Sequence, residues 1–140
     1  MPKKTRNKNK PVNEAKIHFS LFAALQNMLS TPLNRLFDRV EAEVVLANRK
    51  RADLVLYKED RAVLVIECKR QQGNKEVRSI DTLSSDVISQ AVGYAAELGS
   101  PYFATYNGTV GSLFQTHQEG VPLFERNCKI FRDLSQNHVN

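Results

Sequence analysis

Apolar side chains recur at Ile17, Leu21, Ala24, Leu25 and Met28, the spacing of one helix face. Asn13 can cap such a helix and Ser30-Thr31-Pro32 stops it, so the pattern predicts a helix over residues 14–29. From residue 40 the period changes. Residues 40–47, 52–57 and 62–68 are three runs rich in β-formers, and each predicts a strand. Short polar stretches, Asn48-Arg49-Lys50 and Lys58-Glu59-Asp60, join them, which predicts an antiparallel meander. The third run is apolar on both faces up to Glu67, as expected of a central strand covered on both sides. Residues 71–82 read as a loop. Val87, Ala91, Tyr94, Ala95 and Leu98 return to helical spacing and predict a second helix over residues 84–98, with Gly99 just past its end. Residues 101–106 read as a fourth strand, Asn107-Gly108 as a turn, and residues 111–116 as a fifth strand at the sheet's edge. The last twenty residues hold Pro122 and scattered apolar positions, and a short terminal helix is expected there. The order is helix, three-strand meander, helix, strand. It predicts an α/β domain whose mixed sheet is flanked by helices.

The 140 residues suit one domain. Apolar residues make up 41% and charged residues 25%, both ordinary for a globular protein. No stretch approaches the roughly 20 consecutive apolar residues of a membrane helix. The basic start lacks the apolar segment of a secretory signal, so a cytoplasmic protein is expected. The net charge of +5 is confined to Lys3, Lys4, Arg6, Lys8 and Lys10, since the remainder holds 15 basic and 15 acidic residues. Residues 1–11 therefore read as a disordered basic tail, either a solubilising arm or one that brushes nucleic-acid phosphates. Cys68 and Cys128 form no zinc or iron–sulfur spacing, and Cys68 reads as a buried small hydrophobe. His18, His117 and His138 lack metal-ligand spacing. No Gly-x4-Gly-Lys-Ser/Thr phosphate loop is present, which excludes ATP hydrolysis by that route.

The chemistry concentrates around Asp53 and Glu67-Cys68-Lys69. Alternation places Glu67 and Lys69 on one strand face, following Val63 and Val65. With the hairpin turn centred on residue 59, Asp53 lies opposite about residue 65, one pair from Glu67. Two carboxylates and an ammonium then converge. Close carboxylates repel unless a cation lies between them, and hard oxygen ligands select Mg²⁺ or Mn²⁺, with the Cys68 carbonyl as an extra ligand. Such a metal polarises a phosphoryl oxygen, and Lys69 can orient water or neutralise developing charge. Phosphodiester hydrolysis needs this set, although Glu-x-Lys also arises as a cross-strand or surface ion pair. The clusters Arg49-Lys50-Arg51 and Arg70, Lys75, Arg78 read as phosphate contacts or as solvated loops. Glu41 and Glu43 share a strand face, for which solvation is the simpler reading.

Asp53 and Glu67-x-Lys69 on a hairpin, followed by a helix and a strand, resemble the PD-(D/E)XK nuclease superfamily. Ala52 stands where the motif's proline would be. Gln90-Ala-Val-Gly-Tyr94 resembles the Gln-x-x-x-Tyr signature of RecB-type nucleases. The following stretch through Asn107-Gly108 is similar to type I restriction R subunits. The resemblance implies a restriction-endonuclease-like core over residues 12–126, with 127–140 as a C-terminal extension. It implies a metal-dependent DNA endonuclease with Asp53, Glu67 and Lys69 as catalytic residues. Asp53, Glu67, the Cys68 carbonyl and Glu14 on the first helix would hold Mg²⁺, for which Mn²⁺ substitutes. Gln90 and Tyr94, on one helix face, would support the site or meet DNA along with Arg51 and Arg70. DNA is the implied partner, within a homodimer or a larger restriction-type assembly. Two other readings stay open: a recombination nuclease of the junction-resolvase kind, and a catalytically silent nucleic-acid-binding module of the same fold.

Overall fold

The computed structural model describes residues 14–68 and 85–132, with side chains over 16–68 and 86–126. The basic tail, Asn13, the loop 71–82, Lys69, Arg70, Lys75, Arg78 and residues 133–140 lie outside the described residues. Helix α1 spans Glu14–Met28. Strands β1 (Arg39–Val45), β2 (Arg51–Lys58) and β3 (Arg61–Cys68) follow as an antiparallel meander. Helix α2 spans Ser85–Leu98 and leads into β4, Tyr102–Tyr106. Strands β5 (Val110–Gln115) and β6 (Asn127–Arg132) complete a six-stranded sheet in sequential order.

Pairing is antiparallel throughout except between β3 and β4, which run parallel. A parallel pair needs a long crossover, and the segment containing α2 supplies it. The helix packs over β3 and β4, while α1 packs over β1, β2 and β3. The sheet is therefore covered on both faces, as the apolar third run requires. Val65 belongs to the core under α2 with Val55, Phe103 and Phe114. Its neighbour Ile66 belongs to the core under α1 with Leu54, Leu56 and Ala104. On α1 the buried stripe is Ile17 and Leu25, flanked by Leu21, Phe22 and Met28. Ala24, expected on that stripe, is exposed, and Phe22 takes part in its place.

Two expectations change. The segment 111–116 is an inner strand, because β6 pairs along its outer side. Among the described residues of the last twenty, that strand and a single 3-10 turn, Leu123–Glu125, stand where a short terminal helix was expected. Alternation in Cys128-Lys129-Ile130-Phe131 was too short to separate helix from strand by period alone. No helix among the described residues is long and apolar enough to cross a membrane.

Candidate active site

The β2–β3 hairpin decides which carboxylates meet. Its turn is two residues long, and Glu59 and Asp60 adopt φ of 52° and 67°. Positive φ at both central positions is the mirror-image turn whose twist matches the strands it joins. One extra residue of β3 is then absorbed between the pairs Tyr57–Ala62 and Leu56–Leu64. That residue, Val63, packs with Leu64 on the α1 side rather than following Glu67's face as alternation predicts. Beyond the bulge Leu54 faces Ile66, so Asp53 is level with Glu67 rather than with residue 65.

Each carboxylate accepts a backbone N–H from the other's strand. The Asp53 N–H donates to Glu67 Oε2 at 3.0 Å, and the Cys68 N–H donates to Asp53 Oδ2 at 2.7 Å. Glu67 is 6% exposed, so its carboxylate is set in a largely water-excluded place. The Cys68 side chain turns away into the core under α1 as a buried thiol outside any disulfide, while its peptide N–H lies on the side of the carboxylates.

Helix α2 brings Gln90 and Tyr94 to the same place. Gln90 Nε2 donates to Tyr94 Oη at 2.9 Å. Burial holds the Tyr94 phenol above its ordinary range; the Gln90 hydrogen bond opposes this, while the charges of Glu67 and then Asp53 add to it. The phenol thus lies within the field of both carboxylates. Gln90 and Tyr94 also line a cleft of ≈ 500 Å³ with Asn48, Lys50, Asp86, Ser89, Gly93 and Glu97. The cleft runs between α2 and the β1–β2 turn, which Glu97 ties down by accepting the Ala47 N–H at 2.7 Å.

Other expected residues are placed differently. Lys69 and Arg70 lie outside the described residues, and Glu14 opens α1 with its side chain outside them. Arg51 is exposed and pairs with Glu43 at 3.3 Å, and Glu41 pairs with Arg39 at 2.9 Å. Both glutamates are thus solvated rather than gathered with Glu67. No three His, Cys, Asp or Glu side chains among the described residues are grouped to hold a metal. Residues that pattern reading missed are Asn48 and Ser89 in the cleft, Thr105 beside Glu67, and Ser112 one strand beyond Thr105. Two buried hydroxyls on otherwise apolar strands were the available signal for the last pair.

Residues 20–125 match the family model for the N terminus of the type I restriction enzyme R protein. No curated protein matches the chain. Among solved structures, the type IIG restriction endonuclease BpuSI matches with a TM-score of 0.64 at 18% identity. The match covers 82% of this chain and 13% of that one, and at this identity it speaks for the fold.

Proposed function

This chain belongs to the family of type I restriction enzyme R protein N termini, and on that premise we propose that it is a Mg²⁺-dependent DNA endonuclease domain. The observation that carries the proposal is the clasp of Asp53 and Glu67, with Glu67 two residues before Lys69 and both carboxylates beside the Gln90–Tyr94 pair. Mg²⁺ is commonly held by one or two carboxylates, with waters and substrate phosphate completing its shell. Two adjacent carboxylates therefore suit it without a third ligating side chain. Asp53, Glu67 and the Cys68 carbonyl would hold the ion, Glu14 would hold it or its waters, and Mn²⁺ would substitute. When bound it would supply Lewis-acid polarisation of the phosphoryl group and a more acidic water.

The chain's own residues do the remaining work. Backbone N–H groups orient one oxygen of each carboxylate, which keeps the pair close although like charges repel. Lys69 orients the attacking water and neutralises charge on the transition state. The raised Tyr94 stays protonated at neutral pH. With Gln90 donating to its oxygen, its own O–H remains a donor toward the scissile phosphate or the carboxylates. Arg51 and Arg70 contact the DNA backbone. A duplex cut needs two such sites, so we assign it to a homodimer or a larger restriction-type assembly working on cytoplasmic DNA.

The test is nicking of supercoiled plasmid with Mg²⁺ or Mn²⁺. Cutting is expected in the wild type, abolished by EDTA and reduced about a hundredfold or more in Lys69→Ala. A folded wild type that neither cuts nor binds Mn²⁺ refutes the proposal. Metal binding without cutting would mark a domain that needs the rest of its assembly.

A further inference from the structure

The face of the sheet under α2 is ordered in rows. Val55, Val65, Phe103 and Phe114 stand abreast on β2, β3, β4 and β5, and the two phenylalanine rings stack at 4.8 Å. This row is apolar and fully buried. Two residues along each strand the next row on the same face is Asp53, Glu67, Thr105 and Ser112. Glu67 faces Thr105 in the β3–β4 register, and Thr105 faces Ser112 in the β4–β5 register. Every member is polar, and Thr105 and Ser112 are both 0% exposed.

Buried hydroxyls are costly unless hydrogen-bonded, and a packed strand face ordinarily carries apolar side chains. Here both fall in the row that holds the carboxylates and the apolar row beside it has none, while the other buried hydroxyls, Ser100 and Thr116, lie past the opposite ends of β4 and β5. Glu67 is flanked on its β2 side by the Asp53 N–H it accepts, and on its β4 side by Thr105. Neighbouring strands lie about 4.8 Å apart, so Thr105 is the nearest side chain on that flank. Partners behind ligating carboxylates fix the direction of their oxygens and strengthen metal binding.

We propose that Thr105, backed by Ser112, is a positioning residue that holds the Glu67 carboxylate in its metal-binding direction. The inference rests on the reading of Asp53 and Glu67 as metal ligands and adds a residue outside the motif. Thr105→Val keeps the branched shape suited to a strand and removes the hydroxyl. Thr105→Ser keeps the hydroxyl and removes the methyl.

The experiment is Mn²⁺ titration of the full chain followed by paramagnetic resonance of free Mn²⁺, with thermal unfolding of each variant alongside. Thr105→Val is expected to bind Mn²⁺ about tenfold more weakly, and Thr105→Ser to return close to the wild-type affinity. Thr105→Ala, which adds no methyl group, reads the same step if the valine chain does not fold. A purely structural hydroxyl would alter unfolding and leave the affinity alone. Equal Mn²⁺ affinity in wild type and the folded hydroxyl-free variant overturns the role of Thr105 and leaves the metal site standing. A folded wild type that binds no Mn²⁺ overturns the metal site and this inference with it.

Discussion

Asp53 and Glu67 are held by peptide N–H groups, so their placement depends on backbone pairing more than on a flexible side-chain contact. Two tyrosines show how local surroundings divide roles. Tyr94 is buried near the carboxylates, whereas Tyr57 sits near the far end of β2 with Arg39 stacked 4.2 Å from its ring centre. The Tyr57 phenol is raised above its ordinary 10.0, first by burial and then by Glu41, with Arg39 opposing. A raised folded-state value means that the native chain holds this proton more tightly than the unfolded chain. The contribution to stability is therefore whole below about pH 10 and is lost as pH rises through the higher folded value. Tyr57→Phe should lose less stability than the wild type between pH 8 and pH 11. Urea midpoints at the two pH values check this, and equal declines would contradict it.

At the scale of elements the β2–β3 hairpin matters most. A regular ladder grown from its two-residue turn would set Asp53 opposite Ile66, whose side chain points into the core under α1. The bulge moves the pairing by one residue and brings the two carboxylates level. The turn itself is strained, because Glu59 and Asp60 hold positive φ without being glycine or asparagine. Replacing them by Asn-Gly supplies the residues this turn prefers. Asp60 also pairs with Arg39 at 2.9 Å, but that pair is exposed and contributes little. The double variant Glu59→Asn, Asp60→Gly should gain about 1 kcal/mol, a rise of a few degrees in Tm, with plasmid nicking retained. An unchanged or lower Tm would mean that the turn is not a source of strain.

The whole molecule is one sheet clad on both faces, with its candidate site at the end where parallel β3 and β4 finish side by side. Ligand sites of α/β folds gather at such carboxyl ends, where strands stop and side chains can face outward. The β6 strand closes the flank of β5, whose Val110 and Phe114 belong to the buried core. Ending the chain after Arg126 would expose the β5 backbone as a pairing template. The expected outcome is a clear fall in Tm and concentration-dependent association, read by thermal unfolding and sedimentation. A monomeric truncated chain of unchanged Tm would show that β6 is dispensable.

Hydropathy period, together with turn and capping residues, located both helices and the first five strands, because a repeat of 3.6 or 2 residues bounded by such signals admits few alternatives. Sequence also singled out Asp53 and Glu67, since charged groups are conspicuous beside buried runs; Gln90 and Tyr94 were singled out by the resemblance, which pointed to the family the chain belongs to. Three matters were decided only in three dimensions. The bulge at Val63 set the carboxylate pairing, and no local composition marks where a ladder absorbs an extra residue. The position of β6 depended on a β5 edge needing a partner, a condition created by the sheet as a whole. Thr105 and Ser112 joined the carboxylate row because parallel and antiparallel registers brought them abreast of Glu67 from residues about 40 positions away in the chain. Sequence period sets which face a side chain takes, while inter-strand register sets its neighbours, and this candidate site is built from neighbours.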